Sequence, residues 1–516
     1  MNTSQAAAFP WLTVLILVPL AAAVVLASVK ALHRHAKVYG LAVSGLVLVG
    51  AIAAFVSEFD PAGGVQLAET YSWMPTLGVS IAWGVNGMGA VMIGLAVFLV
   101  PIVILTAEHD RFLRPEEADA GRRTAGYIAW ILALEAIMIG IFAAQDVFLF
   151  YVLFEAMLIP VYFLIGSYGG PQRKAAALKF LLYSLAGGLI MLVGVVAVYV
   201  AGPGGPEGFL IANLAGGVEG SQSAQMLMFL SFFIAFAVKA PMFPVHTWLP
   251  DATEQGPAGT SALLVGVLDK VGTYGMIALC LPLFPGAAKD AALVIMVLAV
   301  VSIIWGGLVA IYSRDLMRLV AFTSVSHFGF MVLGIFSGSE VAMTGAILYM
   351  VAHGVGTAAL FLIVGYLAKR GGSQNVTDYG GWQRVTPVLA GTFLVAGLAT
   401  LSLPGLSGFV PEFMVLIGTF DVSRILGGAA VIGVILAALY ILLPYQRVFT
   451  GPRPDVGVKD LGGAEKTAVG VLTAAMLALG FMPGPVIDLV SPVAEDTVVI
   501  FQDTSDTSAL VEGNLK

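Results

Sequence analysis

Apolar runs of about twenty residues recur along almost the whole chain, and they limit the folds open to it more than any other feature. A helix rises about 1.5 Å per residue, so roughly 20 apolar residues cross the ~30 Å hydrocarbon layer of a bilayer. Approximately fourteen segments reach that length: 11–32, 39–57, 79–105, 126–144, 147–167, 175–201, 223–253, 257–283, 289–311, 318–336, 340–368, 387–421, 425–446 and 465–490. The composition agrees. Hydrophobic residues make up 59% of the 516 and charged residues 11%, against about 25% charged in a soluble domain, and the mean hydropathy is +0.96. So few charges cannot clothe a water-exposed surface of this size. The fold class that follows is an all-α polytopic membrane protein with lipid as its solvent. The first run, Trp11–Val29, reads as a span rather than a secretion signal. No basic segment precedes it, and no small-residue cleavage site leading into a polar domain follows.

Lysine and arginine orient the spans, because the inner loops of a membrane protein collect them. With the N-terminus outside, the inner side gathers Lys30, Arg34, Lys37, Arg111, Arg114, Arg122, Arg123, Arg173, Lys174 and Lys179 from the first half. The second half adds Arg314, Arg318, Lys369, Arg370, Arg384, Arg447, Arg453, Lys459 and Lys466, while the outer side keeps Lys289, Arg424 and Lys516. So strong a bias fits an even number of spans, with both termini on the outer (periplasmic) face of a cell inner or plasma membrane. The net charge of -7 is small for the length, and no basic cluster with interleaved aromatics points to nucleic acid. A single cysteine, Cys280, inside an apolar run excludes an internal disulfide, a CxxC redox pair and a cysteine-ligated iron–sulfur cluster. Neither common glycine-rich phosphate loop occurs. By itself the chain is expected to hold no nucleotide, redox centre or metal.

Two spans are broken. Lys239-Ala-Pro-Met-Phe-Pro-Val-His-Thr-Trp-Leu-Pro-Asp251 and Leu401-Ser-Leu-Pro-Gly-Leu-Ser-Gly-Phe-Val-Pro-Glu412 place proline and glycine where a helix should continue. Each internal proline removes a backbone donor, at about 3 kcal/mol. Irregular backbone survives at membrane depth only where protein or a water-filled cavity satisfies it, and interrupted spans in two halves of a transporter mark its pathway. Ionisable residues stand beside both breaks, Lys239 before the first and Glu412 after the second. Glu155 lies within Phe148–Pro160, about eight residues or ~12 Å from a membrane face. Lys270 lies well inside the span that follows the first break, with Asp269 beside it. Inserting each charge costs about 2.5–3.5 kcal/mol, so such residues face the protein interior, find a partner and are functional by default. A structural Glu155–Lys239 salt bridge is the plain alternative. A buried pair is weak evidence for stability, however, and four charges on separate spans exceed what that explanation covers.

Protons suit these groups. Burial favours the neutral forms of acids and lysines, whereas closeness of one to the other favours the charged forms, so changing the distance between them binds or releases a proton. His327 and His353, in the next two long spans, extend the series, since imidazole titrates near neutral pH and passes a proton between its nitrogens. A packed, hydrogen-bonded core histidine is the alternative for each. No ligand spacing with these histidines suggests a metal. His246 is expected to line the cavity at the first break. Glu135 reads as a shallow buried acid, and Lys179 as snorkelling to the inner surface. Asp269, about 100° around the helix from Lys270, reads as tuning the field of the lysine rather than pairing with it.

The stretches Phe148–Pro160, Lys179–Gly187, Lys239–Asp251 and Asp269–Gly275 resemble the antiporter-like subunits of respiratory complex I, over residues 75–455. The proline-rich lysine motif is the specific part. Within that superfamily the chain is similar to the M-type branch. Glu412 stands where sister subunits and sodium/proton antiporter relatives usually carry lysine, and no long lateral helix is expected after the last span. The resemblance implies two inverted five-helix repeats, 126–283 with its broken helix near 239–250 and 289–446 with its broken helix near 401–412. They lie between N-terminal helices in 1–125 and a last helix with a short tail in 447–516. It implies that Glu155 and Lys239 form an input-side pair, Lys270 a central relay, His327 and His353 a connecting relay and Glu412 the exit-side group. It also implies sister membrane subunits on both sides, surrounding lipid, and FMN, iron–sulfur clusters and quinone in partner subunits. One departure stands out. The family often has a histidine shortly after Trp-Leu-Pro-Asp, where this chain reads Asp251-Ala-Thr-Glu-Gln-Gly256, so the resemblance does not carry proton uptake at that face.

The expected function is proton translocation coupled to NADH:quinone oxidoreduction in partner subunits, which makes the chain part of an enzyme. One rival is a subunit of a multi-component cation/proton antiporter or a membrane-bound hydrogenase; Glu412 argues against the antiporter. A self-sufficient transporter of an organic solute is a second, and the linear series of titratable groups argues against it. A passive anchor for a redox arm, the third, would need no buried charges.

Overall fold

The computed structural model describes residues 7–113 and 120–513, with side chains described for 7–113 and 121–501; Arg114 and Lys516, used above to orient the chain, lie outside the described residues. Helices α1 (Trp11–Ser28) and α2 (Ala36–Glu58) precede a hairpin of β1 (Gln66–Met74) and β2 (Val79–Val85). Then come α3 (Gly87–Thr106), α4 (Ala120–Ala143), α5 (Val147–Tyr168), α6 (Arg173–Ala201), α7 (Gln222–Lys239), α8 (Trp248–Gln255) and α9 (Ala258–Leu283). The second half holds α10 (Pro285–Tyr312), α11 (Leu316–Phe336), α12 (Glu340–Gly371), α13 (Pro387–Thr400), α14 (Phe409–Val422), α15 (Arg424–Phe449), α16 (Gly463–Phe481) and α17 (Gly484–Gly513). Among the described residues thirteen helices are long and apolar enough to cross a bilayer. The interrupted pair α13–α14 makes a fourteenth crossing, and α8 continues α7 beyond the other break.

Two boundaries differ from those read in the sequence. Residues 79–85 are strand, not helix: they pair antiparallel with β1, Ile81 opposite Tyr71. The helix starts only after Asn86, whose side chain accepts from Gly89 N at 3.0 Å and so satisfies a first-turn donor. The last crossing ends at Phe481, because Pro483 and Gly484 interrupt it. The residues read as a short tail form α17 instead. This helix crosses the start of α3 so closely that a Cβ on Gly87 would sit 1.7 Å from the Leu489 carbonyl oxygen.

Chain ends expected to share a membrane face do meet. Trp83 bridges Ala144 and Asp146 bridges Leu210 at one end of the bundle, and Asp315 bridges Asn375 at the other. At the second end Lys37 pairs with Glu108 at 3.1 Å and Arg370 with Glu465 at 2.6 Å. On the hairpin, Glu69 closes the start of α1, accepting from Leu12 N at 2.8 Å and Thr13 Oγ1 at 2.5 Å. The core lies around α9, α11 and α12, where 94% of each apolar window is buried, compared with 28% in α2 and α16. A helix apolar on every side must be wrapped by other helices or by lipid. Here protein wraps those three, which shields any charge on them from the bilayer.

Candidate functional site

The first break, residues 240–247, has its irregular backbone met by protein. Trp248 Nε1 donates to the Val238 carbonyl at 2.9 Å, Phe243 N to Ser302 Oγ of α10 at 2.6 Å, and Met242 N to the Ala237 carbonyl at 3.1 Å. Helix α9 closes on it: a Cβ on Gly272 would lie 2.5 Å from both Ala240 N and the Phe236 carbonyl oxygen. Lys239, in the last turn of α7, is only 1% exposed. Its Nζ lies 5.6 Å and 5.1 Å from the ring centres of Phe154 and Phe180, a cation–π environment. Glu155 is placed differently from the expectation of an enclosed charge. It is half-buried on the flank shared by α5 and α6. Its Oε1 has no hydrogen-bond partner and presses on Gly188, where an added Cβ would meet it at 1.5 Å. Among the described residues no ion pair joins Glu155 to Lys239.

Helix α9 is not uniform. Wide π turns at Leu264–Leu268 and Met276–Cys280 flank Lys270; such turns concentrate at functional positions. Asp269 N reaches back to the Leu264 carbonyl at 2.9 Å, and the Val265 carbonyl accepts from Lys270 Nζ. The same Nζ lies 2.7 Å from His353 Nδ1 of α12 and 5.2 Å from the Phe328 ring centre. Asp269 is fully buried, with neither carboxylate oxygen hydrogen-bonded, and makes no ion pair with Lys270.

From His353 the polar groups continue toward the second break. The rings of His353 and His327 stand nearly perpendicular with centroids 5.1 Å apart, and His353 Nε2 and His327 Nδ1 are buried without partners. His327 Nε2 lies 3.0 Å from the Tyr440 hydroxyl of α15, and the His327 ring packs 5.7 Å from that of Tyr349. Tyr349 donates to Glu412 Oε2 at 2.6 Å, and Ser402 Oγ donates to the same oxygen at 2.6 Å. Ser402 lies in the break with φ 61°, the left-handed region that a non-glycine residue adopts only under strain. A cavity of about 10 Å³ lies between the histidines and this break, lined by His327, Tyr349, His353, Thr357, Thr400 and Gly408. That is about the space one water needs. Lys270, His327 and His353 each sit near the midpoint of their helix, and Lys239 and Glu412 sit beside the breaks. The row therefore runs at mid-depth.

The remaining expected residues lie elsewhere. His246 Nε2 accepts from Trp305 Nε1 at 3.3 Å and its ring packs against Phe243 and Phe322; it makes no bond with Lys239. Glu135 is fully buried with both oxygens unpartnered. It is not shallow: eight residues separate it from Ala143, the end of α4, roughly 12 Å of helix. Lys179 is tied down rather than reaching freely to the surface. It pairs with Asp251 at 2.6 Å, and Arg318 joins Asp251 at 2.5 Å and Glu254 at 2.8 Å. Among the described residues no group of three or more His, Cys, Asp or Glu is placed to hold a metal ion. The site also contains three hydroxyls that sequence reasoning passed over: Tyr349, Tyr440 and Ser402. Only Tyr349 carried a signal, since it stands four residues before His353 and so on the same helix face.

Known proteins resemble the chain throughout. A model of the family described as NADH:quinone oxidoreductase/Mrp antiporter, TM, matches residues 144–439. NADH-quinone oxidoreductase subunit M of Mycobacterium tuberculosis is 43% identical over 95% of this chain and 94% of its own length. The Rhodobacter capsulatus subunit M is 38% identical over 93% and 95%. A chain of respiratory complex I from Thermus thermophilus superimposes with a TM-score of 0.86 at 32% identity, covering 95% of this chain and 99% of that one. A chain of the Mrp complex from Dietzia sp. DQ12-45-1b shares the fold, with a TM-score of 0.85 at 23% identity over 97% and 99% of the two chains.

Proposed function

The chain belongs to the family of NADH-quinone oxidoreductase subunit M, and from that premise we propose that it moves protons across the membrane, driven by electron transfer in partner subunits. The observation that carries this reading is the buried polar row from Lys270 through His353 and His327 to Glu412, which ends at the second helix break and is shielded from lipid throughout. Neutral His353 takes a proton from Lys270 Nζ on Nδ1 and releases one from Nε2. A water in the small cavity passes it to His327 Nδ1, and the hydroxyls of Tyr440 and Tyr349 link the His327 surroundings to Glu412. Lys239 at the first break and Glu155 on the flank of α5 and α6 supply protons to the row. The half-exposed Glu155 supports a lateral partner: a carboxylate at membrane depth needs a protein or aqueous neighbour, and a sister subunit against α5 and α6 would provide one. FMN, iron–sulfur clusters and quinone belong to partners in this reading, since the single thiol, Cys280, is buried within α9. The two five-helix repeats at 126–283 and 289–446 each contribute one break, and both termini face outward in the plasma membrane.

Glu412→Gln tests the reading. The amide keeps the shape and can still accept from Tyr349 and Ser402, but it cannot exchange a proton. In reconstituted vesicles driven by NADH and quinone, with a pH-sensitive dye as readout, pumping should fall by on the order of 10²-fold while the complex stays assembled. Normal pumping by the amide variant would remove Glu412 from the path.

A further inference from the structure

Away from the relay, one cavity is lined by guanidinium groups rather than apolar side chains. It holds about 430 Å³ at the cation-rich end of the bundle, between Arg111, Phe112, Arg123, Arg173 and the Gly169–Pro171 turn. Three elements build it. The loop after α3 is fixed by Asp110, which accepts from Phe112 N at 2.8 Å and from Ala258 N at 2.7 Å. Arg123 of α4 donates through Nη2 to the Phe112 and Ser167 carbonyls at 3.4 Å and 3.2 Å. Arg173 of α6 donates through Nη1 to the Gly169 and Gly170 carbonyls, both at 3.3 Å. The ring of Phe112 carries Arg111 at 4.7 Å and that of Tyr168 carries Arg123 at 5.5 Å.

These contacts hold the guanidinium groups in place without using up their donors. Arg111 Nη1, Arg123 Nε and Arg173 Nε are buried and make no hydrogen bond. Among the described residues no carboxylate pairs with any of the three arginines. Helix α6 opens on Arg173 and Lys174 with no acid in its first turn and no side-chain cap. Cations there oppose the positive end of the helix dipole, and an anion would complement both. The walls leading away from the pocket along α5 and α6 are apolar and outward-facing: Ile159 is 55% exposed, Leu178 49% and Leu182 56%.

We propose that this pocket binds the phosphate of an anionic phospholipid headgroup, whose acyl chains lie along the exposed faces of α5 and α6, in the seam between this chain and the neighbour that faces Glu155. Converging arginines recognise phosphate oxygens through paired N–H donors, and basic pockets between membrane helices suit such headgroups. The apolar walls favour a lipid over free phosphate. The inference is independent of the proton-relay reading.

The test uses the full chain, purified in detergent and stripped of lipid. Its thermal midpoint is measured with cardiolipin, with phosphatidylcholine and with inorganic phosphate, and retained lipid is counted by native mass spectrometry. Cardiolipin should raise the midpoint by several degrees and stay bound, with no effect from phosphatidylcholine or millimolar phosphate. Arg111→Gln with Arg173→Gln should weaken cardiolipin retention tenfold or more. Should the double variant fail to fold, Arg111→Gln alone, which removes no hydrogen bond among the described residues, should weaken it at least threefold. Unchanged cardiolipin retention in the variants would overturn the proposal, as would an equal response to inorganic phosphate. So would a cardiolipin response that arises only when Glu116, Glu117 and Asp119, outside the described residues, are replaced by amides.

Discussion

Glu412 receives two hydroxyls on the same oxygen, one from Tyr349 on α12 and one from Ser402 inside the break. Removing one by Tyr349→Phe keeps the ring and deletes a bond worth about 1 kcal/mol net. Proton pumping should fall several-fold with assembly intact. Tyr440→Phe should do the same through His327, to which its hydroxyl lies 3.0 Å away. The double variant should lose less than the two effects summed, because neighbours in one network are not additive; vesicle acidification rates for the four proteins decide the matter. The charged members of this network were legible in the sequence because an ionisable residue inside an apolar run has little reason to be there except function. Its hydroxyls were not. Tyrosine and serine are ordinary in a membrane helix, and Ser402 gains its place only from a backbone conformation that no pattern announces. Glu155 was legible as a deep carboxylate but not as a flank residue, since exposure depends on which helices pack beside α5.

At the level of elements, proline and glycine announced both breaks, and the structure shows what supports the first. Gly272 of α9 lies directly against Ala240 and the Phe236 carbonyl. Because those neighbours are backbone and cannot swing aside, Gly272→Ala should force α7 and α9 apart at a cost of about 1–3 kcal/mol. It should lower the thermal midpoint in detergent and disturb Lys239 without altering any charge. A second element-level test concerns the start of α11. There Asp315 accepts from Arg318 N at 3.0 Å. Burial, with nearby Glu254 adding to it, pushes its carboxyl up to about 6. The folded value exceeds the unfolded value of about 3.9, so the stabilising effect of protonation is complete below about pH 4 and is lost as pH rises through about 6. Asp315→Asn caps equally well and carries no proton to lose. The variant should match or exceed the wild type in thermal midpoint at pH 7.5, and the advantage should vanish at pH 4. The π turns around Lys270 and the strand at 79–85 had no such legibility. Leu264–Leu268 is composed like any apolar helix, and Val79–Val85 merges with the apolar run behind it until the cap at Asn86 divides them.

For the molecule as a whole, the apolar runs anticipated nearly every crossing. The sequence did not distinguish α17 from a tail, because Pro483 and Gly484 interrupt a segment whose apolar character continues. The orientation is open to direct test. Gly457→Cys, where an added Cβ meets nothing within 4 Å, and Ala215→Cys, at an exposed position, should react with an impermeant thiol reagent from opposite sides of sealed vesicles, the second from the outer face. Native Cys280 is buried and should stay silent. Labelling of both from one side would overturn the topology. The row of groups at mid-depth has a further consequence, an electrical one. A charge crossing the whole membrane does about 2.3 kcal/mol of work per 100 mV, but one moving within the plane of the bilayer crosses no voltage. Transfer from Lys270 to Glu412 should therefore proceed at the same rate in an energised and a collapsed membrane. The whole voltage dependence of transport should fall on the two vertical legs, where a proton enters the row from one aqueous phase and leaves it for the other.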